Sequence, residues 1–238
     1  MGGQPAGLAD ASVLTFDCYG TLIDWERGIL DSLHEVLGRG VADEDELLEA
    51  YGAEEASLET GAWRPYREIV REATTAVCRR YANEPTDDER RRFEVSVTRW
   101  PAFADSAPAL AQLAQRFEMG VLTNCDEDLF AASSELLGNP FDWVVTAEQV
   151  RAYKPARPHF EAARERIGPR RDGWVHVAQS LYHDHAPAKA MGIRTVWINR
   201  RSDRAGSGAT PLAEIRPDMQ AADMATFARL ALGEWLRR

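Results

Sequence analysis

Residues 12–24 read SVLTFDCYGTLID. Ser12 to Phe16 is an apolar and β-branched run too short for a helix, which predicts a buried strand. It ends directly on Asp17, and Gly20-Thr21 follows as a tight turn. A buried strand that delivers an acid at its C-terminal end needs a sheet around it. Four further runs of this kind come later, at Met119 to Thr123, Trp143 to Thr146, Val175 to Ala178 and Thr195 to Ile198, and Pro217 to Met219 adds a short edge strand. Helical patterns lie between and after them, at Ala107 to Phe117, Glu127 to Leu137, Pro158 to Ile167, Ala186 to Met191 and Ala222 to Leu236. Strands alternating with helices predict an α/β fold with a parallel sheet.

Between Ile23 and Trp100 the pattern changes. Gly28 to Leu37, Asp45 to Leu58, Arg67 to Tyr81 and Asp87 to Arg99 carry apolar residues at helical spacing, with Glu and Arg on the remaining faces and no strand-like run between them. The expected organisation is a Rossmann-like catalytic core, residues 1–23 and 101–238, with an inserted all-helical domain, residues 24–100, whose exit is marked by Pro101. The low-complexity content is confined to an Arg/Gly/Ser-rich loop, residues 200–209.

A chain of 238 residues can bury a sizeable core. Its 38 acidic residues exceed its 28 basic ones by 10, which argues against nucleic acid or an anionic membrane as partner. An anionic substrate would need a locally positive pocket. Cys18, Cys78 and Cys125 are odd in number and lack a CxxC spacing, so reduced thiols and a cytoplasmic setting are expected. Met1 to Asp10 lacks the charged and apolar regions of an export signal, and no apolar run is long enough to span a membrane. The Arg90-Arg91-Arg92 run beside Asp87, Asp88 and Glu89 reads as a solvated helix face.

In parallel open sheets ligands bind beyond the carboxyl ends of the strands. Asp17 and Thr21 follow the first strand, Thr123-Asn124 the second, Lys154 the third after a short helical turn, and Gln179-Ser180 the fourth, with His183-Asp184 close behind. Each alone is weak: an Asp at a strand end is often a turn former, a loop Lys is usually solvated, and Thr123 can cap the helix beginning near Asp126. Their placement on one rim, in that order, is what carries weight. His183-Asp184-His185 has no third ligand nearby and reads poorly as a metal site. Cys18 points away from the Asp17 face by strand alternation and reads as core filler.

These four segments resemble, in order, the four motifs of the haloacid dehalogenase superfamily, and the helical insertion sits where that superfamily often places a cap. FDCYGTL, residues 16–22, and VWINR, residues 196–200, are most similar to its 2-haloacid dehalogenase branch. Phosphatases of the superfamily hold Mg²⁺ with the nucleophilic Asp, an acid two residues on and acids in the fourth motif. Here those places hold Tyr19 and Gln179, a poor magnesium site that lacks the general acid, so no metal or other cofactor is expected. Substitution at carbon needs neither.

The resemblance implies that Asp17 displaces halide from a small anionic 2-haloalkanoate, forming an ester whose carbonyl carbon is then attacked by water. It assigns Lys154 to keep Asp17 charged, Asp184 to orient Lys154 and the water, and Thr123 and Asn124 to hold substrate or ester oxygens. Thr21, Tyr19, Gln179, Ser180 and His183 would shape the substrate site. A homodimer is implied by the resemblance alone. Three departures stand out. The cap arginine that receives the halide has no counterpart, since residues 40–62 contain none and Arg39 and Arg64 are nearest. The fourth motif reads Gln179-Ser180-Leu181, and Phe160 replaces an expected aromatic hydroxyl. A Mg²⁺-dependent phosphatase and a catalytically silent binding protein are the alternatives; halide release in excess chelator separates the first reading from both.

Overall fold

In the computed structural model, which describes residues 8–202 and 208–233, β1 (Val13–Phe16) is buried along its whole length. Such a strand needs neighbours on both edges and layers on both faces. β2 (Glu118–Thr123) and β4 (Trp174–Ala178) flank it, β3 (Trp143–Thr146) lies outside β2, and β5 (Arg194–Ile198) and β6 (Met219–Ala221) continue beyond β4. The order is β3-β2-β1-β4-β5-β6, every pairing parallel. This is the expected α/β Rossmann-like sheet. The edge strand starts two residues later than its sequence pattern, at Met219, because Pro217 has no N–H to give a ladder.

Alternation sends Leu14 and Phe16 to one face and Val13 to the other. The first face packs against α5 (Ser106–Leu113), α6 (Glu127–Leu136) and α10 (Met224–Ala231), the second against α8 (Pro158–Ile167) and α9 (Ala186–Ala190). The last helix runs from Met224 to Ala231 with Leu232 as its C-cap, shorter than the expected Ala222 to Leu236; residues 234–236 of that range lie outside the described residues, as do 203–207 of the Arg/Gly/Ser-rich loop and 1–7 of the N-terminal stretch. No helix among the described residues is long and apolar enough to cross a membrane.

Four helices follow β1 directly: α1 (Trp25–Leu37), α2 (Glu44–Leu58), α3 (Tyr66–Arg80) and α4 (Asp87–Ser96), closed by a 3-10 turn at Val97–Arg99. Asp24, Asp43 and Thr86 cap α1, α2 and α4 locally. α3 begins after Pro65 and has no local side-chain cap. Its first N–H groups, from Tyr66 and Arg67, donate instead to the Asp126 carboxylate at 2.8 and 3.1 Å. Asp126 makes no such bond to its own helix α6, so it ties the helical segment to the sheet end where the second motif lies.

Candidate active site

β1 lies between β2 and β4, and the chain leaves it toward opposite ends of the sheet, so a crevice opens at the carboxyl ends of β1 and β4. Asp17 emerges there. The loop after it turns sharply at Gly20, whose φ of +89° favours glycine and where a Cβ would come within 2.9 Å of Trp25 Nε1. That turn brings the Thr21 hydroxyl back to donate to Asp17 Oδ2 at 2.6 Å while accepting the Gln179 N–H at 2.9 Å. The ends of β1 and β4 are thereby stitched together.

Lys154 arrives from β3 through the single turn α7 (Ala147–Val150), capped by Thr146. Its ammonium is buried and donates to Asp17 Oδ1 at 2.8 Å, Asp184 Oδ1 at 2.6 Å and the Leu122 carbonyl at 2.8 Å, which uses its three N–H groups. Asp184 sits in a π-helical turn, Leu181–His185, opened by Ser180, whose hydroxyl accepts from the His183 N–H at 2.9 Å. Burial alone would push the Lys154 ammonium down, but the two carboxylates hold it above its ordinary value. Burial likewise pushes Asp184 up, yet Lys154 and His176 outweigh it and keep that carboxyl low. In Asp17 burial prevails over Lys154 and Thr21, with the Asp184 charge adding to it, and the direction is upward.

Two residues absent from the sequence-based site complete this cluster. His176 Nε2 lies 3.0 Å from Asp184 Oδ1, its Nδ1 lies 2.8 Å from Thr15 Oγ1, and Thr15 accepts from Trp174 Nε1 at 2.8 Å. An ionised carboxylate only accepts, so His176 carries its proton on Nε2 and Nδ1 accepts from Thr15. The signal for them was present: Thr15 and His176 are polar residues inside runs that read as buried strands.

The other expected residues are placed as follows. Asn124 grips the Lys154 backbone from both ends of its amide, accepting from the N–H at 2.7 Å and donating to the carbonyl at 3.1 Å. Thr123 is buried behind Lys154; its carbonyl accepts from His159 Nε2 at 3.1 Å, and its hydroxyl has no partner among the described residues. Tyr19 turns its hydroxyl toward Ser133 and Cys125 and offers its ring to Tyr66 and Trp100. Gln179 Oε1 accepts from the Thr210 hydroxyl at 3.2 Å. Burial lowers His183 to about 4, so it is neutral at pH 7. Cys18 is buried and burial pushes its thiol well up, in keeping with core filler.

Of the site residues expected from sequence, all but Thr21 and Thr123 line one cavity of about 30 Å³, with Asp17, Lys154 and Asp184 on the strand-end side. The helical side contributes Trp25, Glu55, Glu59 and Tyr66. Neither arginine nearest to the expected halide position reaches it: Arg39 pairs with Asp31 and Arg64 with Glu72. Glu55 accepts from the Tyr51 and Tyr66 hydroxyls at 3.0 and 2.8 Å, and burial still raises it to about 7.

A magnesium ion of the kind phosphatases of this fold use does not fit these residues. The Lys154 ammonium already stands between the two carboxylates, the Tyr19 hydroxyl faces away, and Gln179 supplies no charge. The described residues contain no group of three or more His, Cys, Asp or Glu placed to hold a metal ion.

The chain is 26% identical over 192 residues to haloacetate dehalogenase H-2 of Moraxella sp. strain B, covering 79% of this chain and 85% of that protein. It is 24% identical over 196 residues to the (S)-2-haloacid dehalogenase of Pseudomonas putida, with the same coverage. The L-2-haloacid dehalogenase structure from Xanthobacter autotrophicus superposes with a TM-score of 0.79 over 94% of this chain and 99% of that one, at 21% identity, which speaks to the fold alone. The family model for haloacid dehalogenase-like hydrolases matches residues 11–192, most of the chain, and the protein belongs to that family.

Proposed function

We propose that the protein is a metal-independent hydrolase that cleaves the carbon–halogen bond of a small (S)-2-haloalkanoate through an ester on Asp17, in the cytoplasm. In this reading residues 24–100 act as a cap over a core of residues 1–23 and 101–238. The observation that carries it is the Lys154 ammonium held between Asp17 and Asp184, 2.8 and 2.6 Å from their oxygens. A cation built into the protein holds the nucleophile in place and opposes the burial that raises its carboxyl, and a carbon electrophile, unlike a phosphoryl group, brings no anionic repulsion to be neutralised.

Each Asp17 oxygen has one donor, Lys154 or Thr21, and keeps a lone pair for attack. One oxygen forms the new bond to C2 with inversion while halide departs with the bonding electrons. Asp17 then carries no charge, and the Lys154 N–H that paired it donates to the ester. Water attacks the ester carbonyl carbon, and the 2-hydroxyacid leaves. Asp184 Oδ2, buried on the cavity wall without a partner among the described residues, is placed to accept a hydrogen bond from that water. Its low pKa suits orientation more than proton abstraction. Asn124 positions Lys154, and Ser180 and His183 give the substrate carboxylate a polar, uncharged wall.

A single turnover in H₂¹⁸O tests the ester. The label should enter Asp17 and be missing from the first product; label in the first product with Asp17 unlabelled overturns the covalent step.

A further inference from the structure

Displacement with inversion sends the leaving atom away from the attacking oxygen. Asp17 stands at the strand ends, so the leaving atom faces the helical wall, Trp25, Glu55, Glu59 and Tyr66. Apart from Lys154, no lysine or arginine among the described residues lines the cavity, and the Lys154 N–H groups are taken. Two carboxyl groups stand where a cation would receive a halide. Glu55 takes both tyrosine hydroxyls on Oε1, which fixes its carboxyl beside α3. Glu59, just past the end of α2, reaches over the strand-end loops, with Oε1 3.5 Å from Asn124 Nδ2 and Oε2 3.9 Å from His183 Nε2. The buried, partnerless Asp184 Oδ2 on the same cavity independently marks it as a place for a ligand.

We propose that Glu59 is a catalytic acid that gives its proton, or a strong hydrogen bond, to the leaving atom, so that the site favours fluorine over chlorine and bromine. The inference rests on the carbon–halogen reading above. An anion released against carboxylates is repelled; released against a carboxylic acid it meets an O–H donor. Burial and the neighbouring Glu55 push the Glu59 carboxyl well above its ordinary value, toward the protonated form, against the opposing pull of Lys154 and Asn124. Among halides only fluoride is basic enough to take it, and carbon–fluorine is the bond whose cleavage most needs it. In the step an Asp17 oxygen forms the C–O bond, the C–F bond breaks, and its electron pair leaves with fluorine together with the Glu59 proton as HF. One water then converts the ester to the 2-hydroxyacid and the Asp17 carboxylic acid, whose proton returns to Glu59.

The test measures halide release from (S)-2-fluoropropionate and (S)-2-chloropropionate by wild type, Glu59→Gln and Glu59→Ala. Wild type should release both ions; both variants should lose fluoride release by about 10²-fold or more, at least about 10-fold more than they lose chloride release, because chloride takes a hydrogen bond from the acid but not its proton. Circular dichroism and the thermal midpoint of each variant control for folding. Equal losses on both substrates, no loss on either, or a wild type active on the chloride and inert on the fluoride overturns the role of Glu59 alone. A wild type that releases neither ion overturns the carbon–halogen reading and this inference with it.

Discussion

Lys154 is the residue on which both the chemistry and the local stability of the site turn. From sequence, Lys154→Ala is expected to remove most activity without unfolding the protein. The structure adds a cost in stability to that expectation, because Lys154 neutralises two buried carboxylates and bonds a third oxygen at Leu122. Lys154→Met leaves Asp17 and Asp184 facing each other in a site with little solvent. The expected outcome is a loss of about 3–5 kcal/mol in urea unfolding together with loss of turnover. Wild-type stability in this variant would mean that the ion cluster contributes nothing to folding. The cluster itself was legible as residue types in chain order. Its extension through His176, Thr15 and Trp174 was not, since Thr15 and His176 are 161 positions apart and meet only through the β1–β4 register.

At the scale of the element, α2 determines the wall that faces Asp17. Its residues carry Leu47, Leu48 and Tyr51 into the core and, on the same side, Glu55. An acid at a core position follows the helical period as an apolar residue would, so the pattern of α2 predicted a helix and did not reveal an acidic wall. Glu55 in the folded protein holds its proton up to about 7 because of burial, against the donors Tyr66 and Tyr51, whereas an exposed Glu releases it near 4.5. The unfolded chain therefore loses the proton first, and stability present below pH 4.5 is lost as pH rises through about 7. The size is on the order of 3 kcal/mol. Glu55→Gln keeps an oxygen for both tyrosines and cannot ionise, so its melting temperature should fall less between pH 5 and about 8 than that of wild type, by several degrees. Parallel slopes for the two proteins would show that Glu55 does not titrate in this window.

Across the whole molecule, the cavity exists because the helices are pressed onto the sheet ends at several separate points. Asp126 holds the head of α3, the Tyr153 hydroxyl donates to the Arg64 carbonyl at 2.7 Å, and Arg201 reaches Glu26 and Asp45 at 2.6 and 2.7 Å. Backbone approaches backbone closely at Gly52, where a Cβ would lie 2.2 Å from the Ala209 carbonyl oxygen. Helix propensity favours alanine there by roughly 1 kcal/mol. The contact opposes it, and backbone rather than a flexible side chain would have to move. Gly52→Ala should lower stability by about 1–3 kcal/mol. It should also raise KM, because Glu55 and Glu59 follow on the same side of the helix. A variant as stable as wild type, with unchanged KM, would mean that α2 does not press on residue 209.

The sequence by itself determined the sheet, the helical insertion and the order of the polar residues at the strand ends, because strand runs, helical periods and turns are local properties of the chain. It also placed Tyr19 and Gln179 where acids would otherwise hold a metal. The tertiary structure alone decided what stands opposite Asp17. Asp126 serves a helix that begins 60 residues before it, Asn124 spends its amide on Lys154, and two glutamates occupy the side where an arginine was expected. These are consequences of docking one group of elements onto another. Their partners are separated in the chain and are selected by packing and burial, which no local pattern records.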